Sequence, residues 1–223
     1  MYGWSASSHA ENQRRLNERP VTGRIKTHWK HLRRRWLRHR KLERLIARYA
    51  PTGNLVDIGC GRGSLFSRLS SNLVPYGIEI DSLALKVAQH RATARGGEVV
   101  HADAIGGLQE LEQSLGLGGV SVIVMHSYLE HEVAPLTVLR IAERLLVPKG
   151  AVIIKVPNLD CWNRHFRGRE WPGFRFPDHV NYFTPETLAR LVTKSGLAIA
   201  RFGLRDRSPT SDNMWLVARK AGN

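Results

Sequence analysis

Two cysteines stand among 223 residues, too few for a disulfide framework, and no Cys/His spacing of a zinc site occurs. There is no apolar run of ~18 residues and no apolar signal core at the N-terminus, so the expectation is a cytoplasmic chain that spans no membrane. No Pro-Pro pair occurs anywhere, and no internal repeat. Acids are scarce at the start of the chain. Residues 1–50 hold 14 Lys and Arg beside Glu11, Glu18 and Glu43, a net of +11, whereas residues 51–223 carry only +4 of the total +15.

What is present is an ordinary globular composition, 42% hydrophobic and 24% charged, at a length that suits one domain with an extension. Residues 1–25 are polar and aperiodic, which predicts a flexible segment. From Lys26 to Tyr49 the residues Trp29, Leu32, Trp36, Leu42, Leu45, Ile46 and Tyr49 recur at helical spacing among Arg and Lys, and Pro51 and Gly53 end the pattern. Residues 1–50 therefore read as a basic arm, and 51–223 as the folded domain.

Within that domain apolar strands alternate with helical stretches. Strands are predicted over NLVDIG, PYGIEI, EVVHAD, VSVIVMHS and AVIIKVPN, and helices over SLFSRLS, SLALKVAQHRATAR, GLQELEQSL and residues 136–147. A helix at 185–195 and a closing antiparallel pair, LAIARFGL with NMWLVARK, follow an aromatic and arginine-rich insertion at 159–184. This rhythm predicts an α/β, doubly wound, Rossmann-like sheet of seven strands.

The chemistry starts at "LVDIGCGRGSL", residues 55–65. Glycines at 59, 61 and 63 admit positive φ and let a ligand lie against bare backbone. No lysine follows for a P-loop, and GxGxG differs from the GxGxxG of dinucleotide sites. Asp57, just ahead, suits an electropositive group such as an α-ammonium. Cys60, inside the loop, reads as a small side chain that fits.

In open α/β sheets, ligands lie across the carboxyl ends of the strands. Glu79 falls at the end of the second, able to accept from two ribose hydroxyls, and Asp103 at the end of the third, able to accept from the adenine amine. Each acid alone reads equally as a helix cap, and an NAD site would place an acid much like Glu79.

Taken in order, "LVDIGCGRG", "YGIEID", "HADA", "SYLEH", "LLVPKGAVIIKVPN" and "DHVNYFTPETLARLVTKSGL" resemble class I S-adenosylmethionine-dependent methyltransferases over about residues 40–220. They look most like the subgroup of ubiquinone-biosynthesis O-methyltransferases and bacterial O-methyltransferases of sugars and natural products. The resemblance implies the methyltransferase sheet, with its last strand antiparallel, and S-adenosylmethionine as cofactor with S-adenosylhomocysteine as product. It makes Asp57, Gly59, Cys60, Gly61 and Gly63 the loop around the methionine part. Glu79 with Ile80 would hold the ribose, Asp103 and Ala104 the adenine, and His126 the cofactor's underside. Where the ubiquinone-pathway enzymes carry an acid thought to help hold a metal, this chain has Ser127, so no metal is expected.

A hydroxyl acceptor benefits from a base, since a free phenol has a pKa of about 10. His179, His131 and Tyr128 are the catalytic candidates, with Glu130 and Tyr182 close behind. Carbon-5 pyrimidine methylation would need a nucleophilic cysteine in a Pro-Cys pair, and amino methylation of adenine usually an Asn/Asp-Pro-Pro element; both are missing. The favoured reading is O-methylation of a small-molecule or glycoconjugate acceptor. The alternatives are an RNA-directed methyltransferase, or a non-catalytic cofactor-binding module, against which the intact loop and acids argue. Residues 24–48 suit an anionic partner, membrane surface or RNA, and equally a helix covering the domain.

Overall fold

Aliphatic residues with alternating outlooks build a seven-stranded sheet in the computed structural model, which describes residues 41–221. The strands are β1 (Gly53–Ile58), β2 (Leu73–Ile78), β3 (Glu98–Val100), β4 (Val120–His126), β5 (Leu146–Pro157), β6 (Leu197–Arg201) and β7 (Asn213–Lys220). Their order is β3-β2-β1-β4-β5-β7-β6, with β7 antiparallel to both neighbours and the other pairs parallel. The predicted α/β class, strand number and reversed last strand all hold. Leu45–Asn223 forms one compact unit. Residues 41–49 are helical (α1), as the spacing of Leu42, Leu45, Ile46 and Tyr49 predicts, and the remainder of the basic arm lies outside the described residues.

The helices after α1 are α2 (Ser82–Thr93), α3 (Ala104–Leu115), α4 (Pro135–Leu145), α5 (Trp162–Arg167) and α6 (Pro185–Lys194). Parallel register gives each sheet face its own character. On one face Val56, Ile58, Ile123, Met125, Val152, Ile154 and Leu216 join the apolar sides of α3, α4 and α6 in a single core. On the other, Asp57, Val124, His126, Lys155 and Trp215 share a side, so its carboxyl end is polar while its interior is apolar. None of the helices among the described residues is long and apolar enough to cross a membrane.

One predicted helix is absent. SLFSRLS makes only a single 3-10 turn, Phe66–Arg68. The glycine loop before it turns through positive φ at residues 59, 61 and 63, and Leu73 already begins β2. What remains holds one turn, which drives the Phe66 ring fully into the interior. In contrast α3 starts earlier than expected, at Ala104, because Asp103 caps it. The chain also leaves α4 directly into β5, where Leu146 pairs with Val120 before a bulge. The insertion carries α5 and a 3-10 turn, Gly168–Glu170.

Candidate functional site

β1 delivers Asp57 and then the glycine loop to the carboxyl end of the sheet. Gly59 sits at φ +68, and a Cβ there would come within 2.9 Å of the Tyr128 ring. Gly61, at φ +55, has only open space where its Cβ would stand. The loop is thus closed on one side by Tyr128 and bare on the other. Cys60 points inward: its sulfur would be 2.7 Å from a Cβ on Gly77 of β2. Burial first, then the charges of Asp57 and Glu79, push its thiol pKa up, so Cys60 stays protonated and contributes packing and backbone.

Asp57 is 7% exposed and takes no side-chain hydrogen bond from the described residues. Burial raises its pKa to about 7, against a smaller opposing pull from Arg68. A buried carboxyl with that much unmet demand suits a cation.

Glu79 does more than the sequence suggests. Its Oε2 accepts the Gly61 N–H at 2.7 Å, and Oε1 accepts the Asp81 N–H at 2.8 Å. The carboxylate therefore ties the glycine loop to the end of β2, while each oxygen keeps a second lone pair for a ligand hydroxyl. Asp81, in turn, caps α2 through the Ala84 N–H at 2.7 Å. Ile80 lies between the two acids with 71% of its surface exposed. Asp103 fulfils the cap reading, accepting the Gly106 N–H at 2.8 Å through Oδ1, and takes no bond at Oδ2 from the described residues. Ala104 turns its methyl into the core and offers only backbone at the helix start. His126 ends β4 with its ring 5.5 Å from that of Trp215.

A second cluster forms beside this row. Val180 and Asn181 both donate their N–H groups to the Glu130 carbonyl, at 2.9 and 3.0 Å. The Asn181 amide returns to the Leu129 carbonyl at 3.1 Å. These bonds stitch the loop after β4 to the end of the insertion and bring His131 against His179, ring centroids 4.7 Å apart and edge-on. His131 Nδ1 donates to the Asp178 carbonyl at 2.7 Å, and His179 Nδ1 to the Gly173 carbonyl at 2.8 Å. Carbonyls only accept, so both imidazoles present Nε2 as a free acceptor when neutral. His131 is exposed, whereas His179 is buried and burial pulls its pKa down.

Glu130 is 2% exposed, its Oε2 has no hydrogen-bond partner, and burial raises its pKa. Glu130, His131 and His179 each offer one ligand atom, all within 4.8 Å of one another, a set able to hold a metal ion. Tyr128 donates its hydroxyl to Glu132; burial and that bond push its pKa up, so it keeps its proton at neutral pH. Sequence reasoning named both histidines as candidate bases on neighbouring strand-end loops. It missed their contact, the buried Glu130 oxygen, and Lys155, whose Nζ donates to Ser127 Oγ from a buried position at the end of β5.

The residues present fit S-adenosylmethionine. The buried Asp57 carboxyl, which takes no side-chain hydrogen bond from the described residues, matches its ammonium, the space beside Gly61 admits its chain, and Glu79 and Asp103 retain acceptor capacity for ribose and adenine.

A doubly wound seven-stranded sheet with a glycine loop and acids at successive strand ends defines a methyltransferase-type nucleotide fold. The family model "Methyltransferase domain" matches residues 28–201, and the chain belongs to that family. No curated protein matches it by sequence. Among solved structures it is similar to a SAM-dependent methyltransferase from Archaeoglobus fulgidus, TM-score 0.62 at 18% identity, over 83% of this chain and 94% of that one. The N-methyltransferase NodS from Bradyrhizobium japonicum WM9 is similar at TM-score 0.59 and 20% identity, over 84% and 96%. So is the [4+2]-cyclase SpnF, at TM-score 0.57 and 18% identity, over 82% of each chain. The fold alone therefore leaves the acceptor chemistry open.

Proposed function

We propose that this S-adenosylmethionine-dependent methyltransferase methylates an oxygen of a small-molecule, sugar or natural-product acceptor. The observation that carries the reading is the pair His131 and His179, whose Nδ1 protons are tied to carbonyls and whose Nε2 atoms are thereby ready to accept. The cofactor supplies a methyl group on a sulfonium. The acceptor hydroxyl gives its proton to an imidazole Nε2 as its oxygen forms the new bond to the methyl carbon. Held by Asp57, Glu79 and Asp103, the cofactor would give up its methyl carbon with the bonding pair staying on sulfur, as the thioether S-adenosylhomocysteine.

Exposed His131 is the member of the pair that reaches an acceptor, and buried His179 is the neutral ring behind it. Tyr128 and Glu79 hold the glycine loop in shape, so alignment of the reacting atoms rests on the loop as much as on the base. Residues 24–48 would bring an anionic surface to the enzyme, in the cytoplasm or at the face of a membrane. An RNA acceptor is the second reading, favoured by the +11 of residues 1–50.

Incubation of the purified chain with methyl-labelled cofactor and a panel of phenols, sugars, natural-product hydroxyls and structured RNA tests the assignment. Label in a base-stable ether on a small molecule is expected. Label confined to an amine or to RNA would replace it.

A further inference from the structure

Large apolar side chains meet solvent along one short stretch, residues 162–176, between β5 and α6. Trp162 is 56% exposed, Phe166 88% and Phe176 84%. α5 buries none of its residues, and Trp162 and Phe166, one turn apart, share a face of it. Arg164, Arg167, Arg169 and Arg175 are interleaved with them against Glu170 alone, a net of +3 for the stretch. Arg164 holds the Leu159 carbonyl and Arg175 pairs with Asp178, whereas Arg167 and Arg169 are exposed, Arg167 within electrostatic reach of Asp212.

The outward posture is held from beneath. Trp171 is 1% exposed, and its indole N–H donates to Asp212 Oδ1 at 2.9 Å. Asn163 Nδ2 donates to the same oxygen at 2.9 Å, and the Trp162 N–H bonds the Pro209 carbonyl at 2.7 Å. The exposed aromatics are therefore not a loose tip that folds back onto the core. Exposed aromatic side chains concentrated in one pinned stretch of fifteen residues mark an interaction surface.

We propose that residues 162–176 dock onto an anionic lipid surface. Trp162, Phe166 and Phe176 enter the boundary between headgroups and acyl chains, and Arg167 and Arg169 pair with lipid phosphates. Rigid aromatic rings flanked by arginines match that boundary, where one side of the contact is apolar and the other wet and negative. The stretch's own net charge of +3 favours an anionic surface over a zwitterionic one. A second copy of the chain would set two positive patches face to face, which disfavours self-association through this face. This inference stands apart from the choice of methyl acceptor.

The test uses the full-length protein and sedimentation with vesicles of phosphatidylcholine, pure or with one third phosphatidylglycerol. Binding is expected only to the mixed vesicles, with hydrogen exchange slowed across 162–176. The double variant Trp162→Ala/Phe166→Ala should partition at least about tenfold more weakly, since two aromatic anchors are lost while the arm remains. Its S-adenosylhomocysteine affinity and thermal midpoint should stay as in wild type. Exchange in the unaltered protein keeps the question decidable should the variant misfold. Vesicle binding without protection of 162–176 would overturn the proposal, as would protection by single-stranded RNA in place of vesicles. Burial of the stretch in a dimer would do the same.

Discussion

Glu79 accepts the backbone N–H of Gly61, so one carboxylate organises the glycine loop and faces the ribose position. Removing it should damage the site twice. Glu79→Ala is expected to weaken S-adenosylhomocysteine binding by about tenfold or more, the loss of a charge-assisted contact plus a loosened loop. Calorimetry checks this, and an unchanged affinity would take Glu79 out of the cofactor site. Glu79→Gln, which keeps an acceptor for Gly61, should lose less.

Asp57 makes cofactor affinity depend on pH. Its pKa in the ligand-free fold is about 7, so below that the carboxyl is protonated and cannot pair with an ammonium. Affinity for S-adenosylhomocysteine should rise by about tenfold per pH unit up to near neutrality and then level. Stability of the ligand-free protein follows the opposite sign. The folded state binds the proton more tightly than the unfolded chain, so this group's contribution is full below its ordinary value of 3.8 and is lost as pH rises towards 7. Asp57→Asn should flatten both dependences. Persistence of the pH-dependent affinity in that variant would assign it to another group.

The two imidazoles should differ in kind. His131→Ala is expected to lower kcat by about 10²–10⁴-fold, the range for loss of a general base, with cofactor affinity unchanged. His179 donates to the Gly173 carbonyl, so His179→Asn, which retains a donor, tests whether it only positions its neighbour. If His179→Asn keeps most of the rate and the acidic limb of the pH profile, His131 is the base; if His131→Ala keeps them, the roles reverse. Zinc ligation by Glu130, His131 and His179 would occupy the same Nε2 atoms, so excess zinc should inhibit and a chelator restore activity. Loss of activity on chelation alone would instead make the metal part of the enzyme.

Asp212 is the pin beneath the insertion. Burial pushes its carboxyl pKa up, but hydrogen bonds from Trp171, Asn163 and Cys161 outweigh that and hold it below the usual carboxylate range. Its stabilising contribution is present above the unfolded value of 3.8 and is lost as pH falls below it. Asp212→Ala leaves the Trp171 indole N–H buried without a partner, which costs about 1–3 kcal/mol. The expected result is faster hydrogen exchange and proteolysis within 159–176, with β1 and β2 unaffected. Uniform destabilisation of the whole sheet would refute a local role.

Much of this was already written in the order of residues. Apolar runs such as VSVIVMH and VIIKV specify strands by their alternation and β-branching, and the spacing of Leu108 and Leu111 or Val138, Leu139 and Ala142 specifies helix faces. Asp57 and the glycines were legible because a positive-φ loop at a strand end needs that residue type at those positions. The tertiary structure decided the rest. A helix over 64–70 had sound local pattern and still lost to the turns of the glycine loop and the nearness of β2. Asp103 had two readings from sequence, and only the bond to Gly106 selected the cap for one of its oxygens. His131 and His179 meet because backbone donors of Val180 and Asn181 find the Glu130 carbonyl, a pairing between distant segments. Local propensity acts over a few neighbouring residues, whereas such contacts depend on where whole strands and loops are carried by the packing of the sheet.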